Sequence, residues 1–125
     1  MTASSNTRET AYQILLENAR SQDFLAQQLV EISGKYSARD FAQIRYLTTI
    51  TVRRKLTLDA VLKHFVQKSV EPDLWGLLKL GAAQVLFGDP EHRHADVNET
   101  VNVARQIGKP RWCKLLNGVL RNLGR

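Results

Sequence analysis

Residues 74–87 read LWGLLKLGAAQVLF, and apolar side chains lie on nearly every side of a helix built from them. A helix that is apolar all round belongs in the centre of a bundle, and this one is too short to cross a bilayer. Glu71-Pro72 places a proline at its start, and Gly88-Asp89-Pro90 ends it. Gly76 and Gly81 each cost about 1 kcal/mol of helix propensity relative to alanine. We therefore expect neighbouring helices to pack closely against both glycines.

The periodicity of the remaining sequence is also helical, and no segment alternates long enough to predict a strand. We predict an all-α bundle of about seven helices in a single domain, residues 1–125, with residues 74–87 in the fifth helix. The other six are expected over residues 6–19, between Ser21 and Gly34, from a cap at Ser37 to about Arg53, from a cap at Thr57 to about Val66, from His94 to a stop at Gly108, and from Pro110 to Leu123.

The last predicted helix has two distinct faces. One face is apolar and should be buried; it holds Trp112, Leu115, Leu116, Val119, Leu120 and Leu123. The opposite face is a narrow cationic stripe without an acid; it holds Arg111, Lys114, Gly118, Arg121 and Arg125. Because Gly118 has no side chain, a phosphate backbone can come close to the helix there. The alternative is a solvated face whose cations favour the C-terminal end of the helix dipole.

The overall charge also favours a polyanionic partner. There are 18 basic and 12 acidic residues, which gives a formal net charge of +6. Arg8 stands in the first turn of a helix, where a cation opposes the dipole, so we expect it to contact an anion or an acidic partner. The residues predicted to bind RNA are Arg8, Arg53, Arg54, Arg93, Lys109, Arg111, Lys114, Arg121 and Arg125. Since few aromatic residues accompany these charges, recognition of the backbone and shape of folded RNA is expected.

No pattern in the sequence predicts catalysis. Glycine-rich phosphate loops, dinucleotide-binding turns and sets of serine, histidine and acid at catalytic spacing are all missing, so we predict no catalytic residue and no cofactor on this chain. His92 and His94 could bind a metal with Asp89 or Asp96, but further ligands at zinc spacing are lacking. We predict no metal site.

Two other features bear on structure and compartment. The single Cys113 excludes an internal disulfide and is expected to be a small buried side chain. Asn98 and Glu99 are polar residues within a packed helix, and either a structural hydrogen bond or a ligand contact would account for them. The polar N-terminus, residues 1–5, lacks an apolar signal segment, so a cytoplasmic protein without membrane association is expected.

Four motifs resemble one known family. They are Arg8-x-x-Ala11-x-x-x-Leu15, residues 77–86, Val97-Asn98-Glu99-Thr100-Val101 and Leu116-Asn117-Gly118-Val119-Leu120. In this order they resemble the NusB family over nearly the whole chain. Gly108-Lys109-Pro110-Arg111 and Val119-Leu120-Arg121 look more like the NusB-like N-terminal domain of the bacterial 16S ribosomal RNA cytosine-5 methyltransferases, the RsmB or Sun family.

The resemblance implies a bundle of two small helical subdomains that binds RNA. If it holds, this chain is an accessory domain that docks ribosomal RNA, and the catalytic cysteines and the S-adenosylmethionine site would belong to a domain following Arg125. The alternative is a transcription antitermination factor that binds RNA together with a NusE-like ribosomal protein. The first helix departs from that pattern, because it keeps only Arg8 of the arginine run found in NusB proteins. The expected assembly is a monomer or a homodimer.

Overall fold

The computed structural model describes residues 5–21 and 24–125, and within them it has seven α-helices, two short 3₁₀ turns and no strand. The helices are α1 (Ser5–Ser21), α2 (Leu25–Ile32), α3 (Ala38–Arg53), α4 (Lys55–Phe65), α5 (Pro72–Phe87), α6 (Arg93–Gln106) and α7 (Cys113–Leu123), and the 3₁₀ turns are Pro90–His92 and Pro110–Trp112. The predicted all-α bundle is confirmed. The expectation of no signal segment rests mainly on residues 1–4, which lie outside the described residues. None of the helices in the described part of the chain has the length and apolarity needed to cross a bilayer.

Helix α5 forms the centre of the bundle, as its sequence predicts. It packs against α1, α3, α4, α6 and α7, and most of its side chains are buried. At Gly81 an added Cβ would lie 2.6 Å from Leu120 Cδ1 and 3.1 Å from Thr100 Cγ2, so α6 and α7 do approach this glycine closely. The corresponding Cβ at Gly76 would make only ordinary contacts, at 3.7 Å or more. The expectation of close packing is therefore confirmed for Gly81 and wrong for Gly76.

The buried apolar side chains form two clusters. The larger one surrounds α5 and includes side chains from α1, α3, α4, α6 and α7. The smaller one is built from Ile14 of α1, Leu29 of α2 and Ile44 of α3. Helices α1 and α3 belong to both clusters, so they join the small three-helix unit to the rest of the bundle.

The helix ends show where sequence signals hold and where they fail. The Ser37 hydroxyl accepts a 3.1 Å hydrogen bond from the Asp40 N–H, as a cap should. Gly108 ends α6 with φ 77°, and the next N–H, of Lys109, donates to Ala104 O at 2.8 Å. The predicted cap at Thr57 is wrong. Helix α4 begins at Lys55, with only Arg54 between it and the end of α3, so Thr57 lies inside its first turn.

Candidate nucleic-acid interface

An open groove of about 750 Å³ lies between α6 and α7. Its lining residues are Asn98, Val101, Asn102 and Arg105 from α6 and Cys113, Lys114, Asn117, Gly118 and Arg121 from α7. Three of them are cations and none is a carboxylate, so the groove is positively charged. We call this set the α6–α7 groove. The apolar face of α7 is buried against the core, which turns its cationic stripe toward this groove and toward solvent.

Asparagines hold two of the three cations in place. Arg121 Nε donates to Asn117 Oδ1 at 2.8 Å, and Arg121 Nη2 donates to Asn98 Oδ1 on the facing helix at 3.5 Å. Arg105 Nη1 donates to Asn102 Oδ1 at 2.6 Å. Asn98 thus lines the groove as a polar contact, whereas its neighbour Glu99 does not line it.

At Gly118 no side chain covers the backbone of α7 in the α6–α7 groove. Gly118 is exposed, and among the described residues no atom beyond its own stretch of helix lies within 4 Å of the position that a Cβ would take. Neither packing nor a special backbone angle therefore explains a glycine in the middle of α7. The backbone of α7 is accessible to a ligand at this point.

The predicted stripe does not act as one unit, because an acid from another helix reaches Arg111. Arg111 Nη2 lies 3.1 Å from Glu71 Oε1 and 3.4 Å from Oε2, and the same carboxylate accepts the Trp112 indole N–H at 3.4 Å. The Arg111 hydrogen bond, followed by that of Trp112, holds the pKa of Glu71 below its usual value. The expectation that no acid neutralises the stripe is wrong for Arg111. Glu71 is 40 positions away in sequence, so the spacing within α7 could not reveal it.

Two further predicted cations, Lys109 and Arg111, do not line the groove and lie against Trp112. Lys109 Nζ is 5.8 Å from the centroid of the Trp112 ring, and Arg111 Cζ is 5.9 Å from it. At these distances both cations lie within cation–π range of the Trp112 ring. Arg125, the last residue, is exposed.

Arg8 is the predicted RNA contact that the structure contradicts. Only 1% of it is exposed, so a nucleic acid cannot reach it. Its Nη2 donates to Asp96 Oδ1 at 2.6 Å and its Nε donates to Gln84 Oε1 at 2.8 Å. Arg8 does have the acidic partner that its position at a helix start predicts, but this partner is Asp96 of the same chain.

The polar cluster around Arg8 is buried and connects three helices. Gln84 Nε2 donates to Thr100 Oγ1 at 3.1 Å, and Thr100 Oγ1 donates to Asp96 O at 2.8 Å. Burial raises the pKa of Asp96, while the charge of Arg8 and its hydrogen bond oppose this rise. The cluster therefore ties α1, α5 and α6 together and takes no part in the surface site.

The three other predicted cations occupy different surroundings. Arg53 and Arg54 lie where α3 meets α4, and the Arg54 guanidinium stacks over the Phe87 ring at 5.1 Å. Neither lines the α6–α7 groove, and their role in RNA binding stays a prediction. Arg93 Nη1 donates to Gly124 O at 2.8 Å, which fastens the end of α7 to the start of α6, and its buried Nε has no hydrogen-bond partner among the described residues.

Sequence reasoning missed Arg105, Asn102 and Asn117 as groove residues. A signal for two of them was present, because Asn98, Asn102 and Arg105 follow the i, i+4, i+7 spacing of one helix face. Cys113 is half-buried at the groove floor, and its thiol donates to Val101 O at 3.7 Å. No group of three histidine, cysteine or acidic side chains suited to a metal occurs among the described residues.

A family model described as the NusB family matches residues 5–125. The chain belongs to the NusB family. It is similar to the transcription antitermination protein NusB of Crocosphaera subtropica, with 31% identity over 97 residues that cover 75% of this chain and 46% of that protein.

Two ribosomal RNA methyltransferases are also similar to this NusB-family chain. The probable ribosomal RNA small subunit methyltransferase B of Bacillus subtilis is 27% identical over 125 residues, which cover 97% of this chain and 28% of that protein. The ribosomal RNA small subunit methyltransferase B of Xanthomonas campestris is 30% identical over 98 residues, which cover 75% and 22%. The chain spans less than half the length of each of these relatives.

Proposed function

We propose that this chain is an RNA-binding accessory domain that docks ribosomal RNA of the small subunit through the α6–α7 groove. The observation that carries the proposal is the lining of that groove, which has Arg105, Lys114 and Arg121 and no carboxylate. Lys and Arg that neutralise phosphates supply most of the affinity of such interfaces. Arg93, Lys109, Arg111 and Arg125 would extend the cationic surface beyond the groove.

The relatives support this reading. Two of them are named as methyltransferases of small-subunit ribosomal RNA, and the alignment with the Bacillus subtilis protein covers nearly all of this chain. We propose that chemistry, where it occurs, belongs to another domain or protein, and that this chain holds no cofactor. Calorimetry with S-adenosylmethionine should then give no heat of binding, whereas a saturable heat would contradict the proposal.

The direct test is a titration of the domain with a fragment of 16S ribosomal RNA at several salt concentrations. Each neutralised phosphate contributes a slope of about 0.7 to 0.9 in the logarithmic plot of affinity against salt. Three groove cations therefore predict a slope of about 2 or more. A flat salt response would show that the groove cations do not bind phosphates, and the proposal would fail.

Charge reversal locates the interface. Lys114→Glu and Arg121→Glu should each lower the affinity at least about tenfold, because each removes a phosphate contact and adds a repulsive charge. The matched control is Arg39→Glu, which makes the same change of charge at an exposed site on the first turn of α3, outside the groove. Equal losses in all three variants would indicate an effect of net charge and would move the RNA site elsewhere.

The similarity to the Crocosphaera subtropica protein favours a second candidate function, transcription antitermination. On that reading the chain would bind RNA together with a NusE-like ribosomal protein in the cytoplasm. Adding a purified ribosomal protein of this kind should then raise RNA affinity and give a 1:1 complex by light scattering. If RNA affinity stays the same and the domain remains alone, as a monomer or a homodimer, the accessory-domain reading stands.

A further inference from the structure

We propose that the α6–α7 groove presents mainly hydrogen-bond donors to a ligand and binds the phosphodiester backbone of RNA rather than a particular base sequence. In this arrangement Asn98, Asn102 and Asn117 are positioning residues that act through Arg105 and Arg121. The inference rests on the proposed function and adds the kind of recognition that the groove performs.

The three asparagine oxygens of the groove each contact an arginine. An asparagine amide has one acceptor, the carbonyl oxygen, and an NH₂ group with two donors. In all three asparagines the carbonyl oxygen accepts from an arginine of the same groove, Asn117 and Asn98 from Arg121 and Asn102 from Arg105. One lone pair of each oxygen is thus occupied by an arginine, and the NH₂ groups, which donate, remain for a ligand.

The other polar side chains that line the groove are also hydrogen-bond donors. Guanidinium and ammonium groups only donate, and no carboxylate or hydroxyl lines the groove. The Cys113 thiol donates to Val101 O within the floor. A ligand that satisfies such a surface must supply acceptors, and the non-bridging oxygens of phosphate do so at every nucleotide. Among the bases, guanine can also accept from arginine or lysine through O6 and N7, whereas the other base edges mix donors and acceptors, so a donor-rich surface reads little sequence beyond guanine.

The asparagines also restrict the rotamers of the groove arginines before RNA binds. An arginine side chain loses considerable rotamer freedom when it binds, and a guanidinium already held by an amide oxygen loses less. Arg121 contacts one asparagine on its own helix and one on the facing helix, so it is fixed across the groove. A guanidinium has five N–H donors, and those not used by the asparagines remain for phosphate.

The experiment compares the affinity of the domain for two RNAs. Wild-type domain is titrated with the 16S fragment and with a fragment of the same secondary structure whose unpaired bases are scrambled. The affinities should agree within about threefold, because phosphate contacts carry no sequence information. A difference of tenfold or more between the two RNAs would overturn backbone recognition. If neither RNA binds, the proposed function itself fails.

The positioning role is tested at Asn117. Asn117→Asp should lower affinity at least about tenfold, because a carboxylate beside Arg121 cancels its charge toward phosphate. The matched control, Asn122→Asp, makes the same change at an exposed position of α7 outside the groove and should cost no more than about threefold. Equal losses in the two variants would overturn the role of Asn117.

A double-mutant cycle separates positioning from direct contact. Asn117→Ala should weaken RNA binding in the wild-type background and have no effect once Arg121 is changed to alanine, because its action passes through Arg121. Urea denaturation of each variant checks that it is folded, so that the differences in affinity reflect RNA binding. If the losses from Asn117→Ala and Arg121→Ala simply add, Asn117 acts independently of Arg121 and the positioning role is wrong.

Discussion

Arg8 and Asp96 form a buried ion pair, with Arg8 Nη2 and Asp96 Oδ1 2.6 Å apart, that joins the first helix to the sixth across 88 positions of sequence. Arg8 is 1% exposed, and Gln84 accepts a second hydrogen bond from it. When one partner of a buried pair is removed, the other charge stays in the interior without compensation. Arg8, predicted as an RNA contact from its charge and its place in a helix start, is therefore a structural residue in this chain.

Replacing this arginine should affect folding and not RNA. Arg8→Met is expected to lower the free energy of unfolding by about 3 kcal/mol, because Asp96 is left buried and unpaired. RNA affinity of the folded protein should stay unchanged. Urea denaturation and RNA titration at a temperature where the variant is folded measure the two effects. The double variant Arg8→Met with Asp96→Leu should recover stability. A fall in the RNA affinity of folded Arg8→Met would show instead that Arg8 does contact RNA.

The two glycines of α5 should respond to alanine in opposite ways. Gly76→Ala is expected to raise the free energy of unfolding by about 0.5 to 1 kcal/mol, because the new methyl meets only ordinary contacts and helix propensity improves. Gly81→Ala should lower it by about 1 to 3 kcal/mol, since its Cβ would overlap the buried Leu120 side chain. Urea denaturation of both variants tests this pair. Stabilisation by Gly81→Ala would mean that α7 can move away from α5.

Glu71 should compete with RNA for Arg111. Glu71→Gln is expected to raise RNA affinity by about two- to fivefold, because Arg111 is released for a phosphate contact. The control Glu31→Gln removes the same charge from an exposed position on α2 and should change affinity less. Titration of both variants with the 16S fragment measures the difference. Equal effects would show that Arg111 does not contact RNA.

The same glutamate gives a pH dependence of stability. Arg111 and Trp112 lower the pKa of Glu71 in the folded protein from its ordinary 4.5. A group with a lowered folded-state pKa stabilises the fold above its unfolded-state pKa, and this contribution disappears as the pH falls through the folded-state pKa. Wild type should therefore exceed Glu71→Gln in unfolding free energy at neutral pH. This small advantage should shrink below pH 4.5, and a difference that grows in acid would contradict the assignment.

Replacing Gly118 by alanine should raise stability and lower RNA affinity. Gly118→Ala should stabilise α7 by about 0.5 to 1 kcal/mol, because the position is exposed and nothing lies near the added Cβ. RNA affinity should fall, because the methyl group keeps phosphate away from the helix backbone. Denaturation and RNA titration of the same preparation measure both quantities. Unchanged affinity would place the RNA backbone away from Gly118.

The helices and much of the cationic face could be predicted from the sequence, because both follow from local periodicity. The apolar run of α5 predicted the centre of the bundle, and the spacing in α7 placed Lys114 and Arg121 on one face. The partners of the charges were not predictable, because Glu71 and Asp96 are brought to Arg111 and Arg8 only by folding. Arg105 differs from these partners, because its place on the polar face of α6 follows from the i, i+4, i+7 spacing of Asn98, Asn102 and Arg105.

The ties between α6 and α7 also bear on how a ligand would be received. The two helices are joined by the turn at Gly108 at one end, and at the other Arg93 of α6 holds the carbonyl of Gly124. Between these points Thr100 and Leu120 both press on Gly81. The two walls of the groove are therefore expected to move as one rigid unit. RNA would meet a preformed surface, and its binding should show a small heat-capacity change and little penalty for ordering the protein.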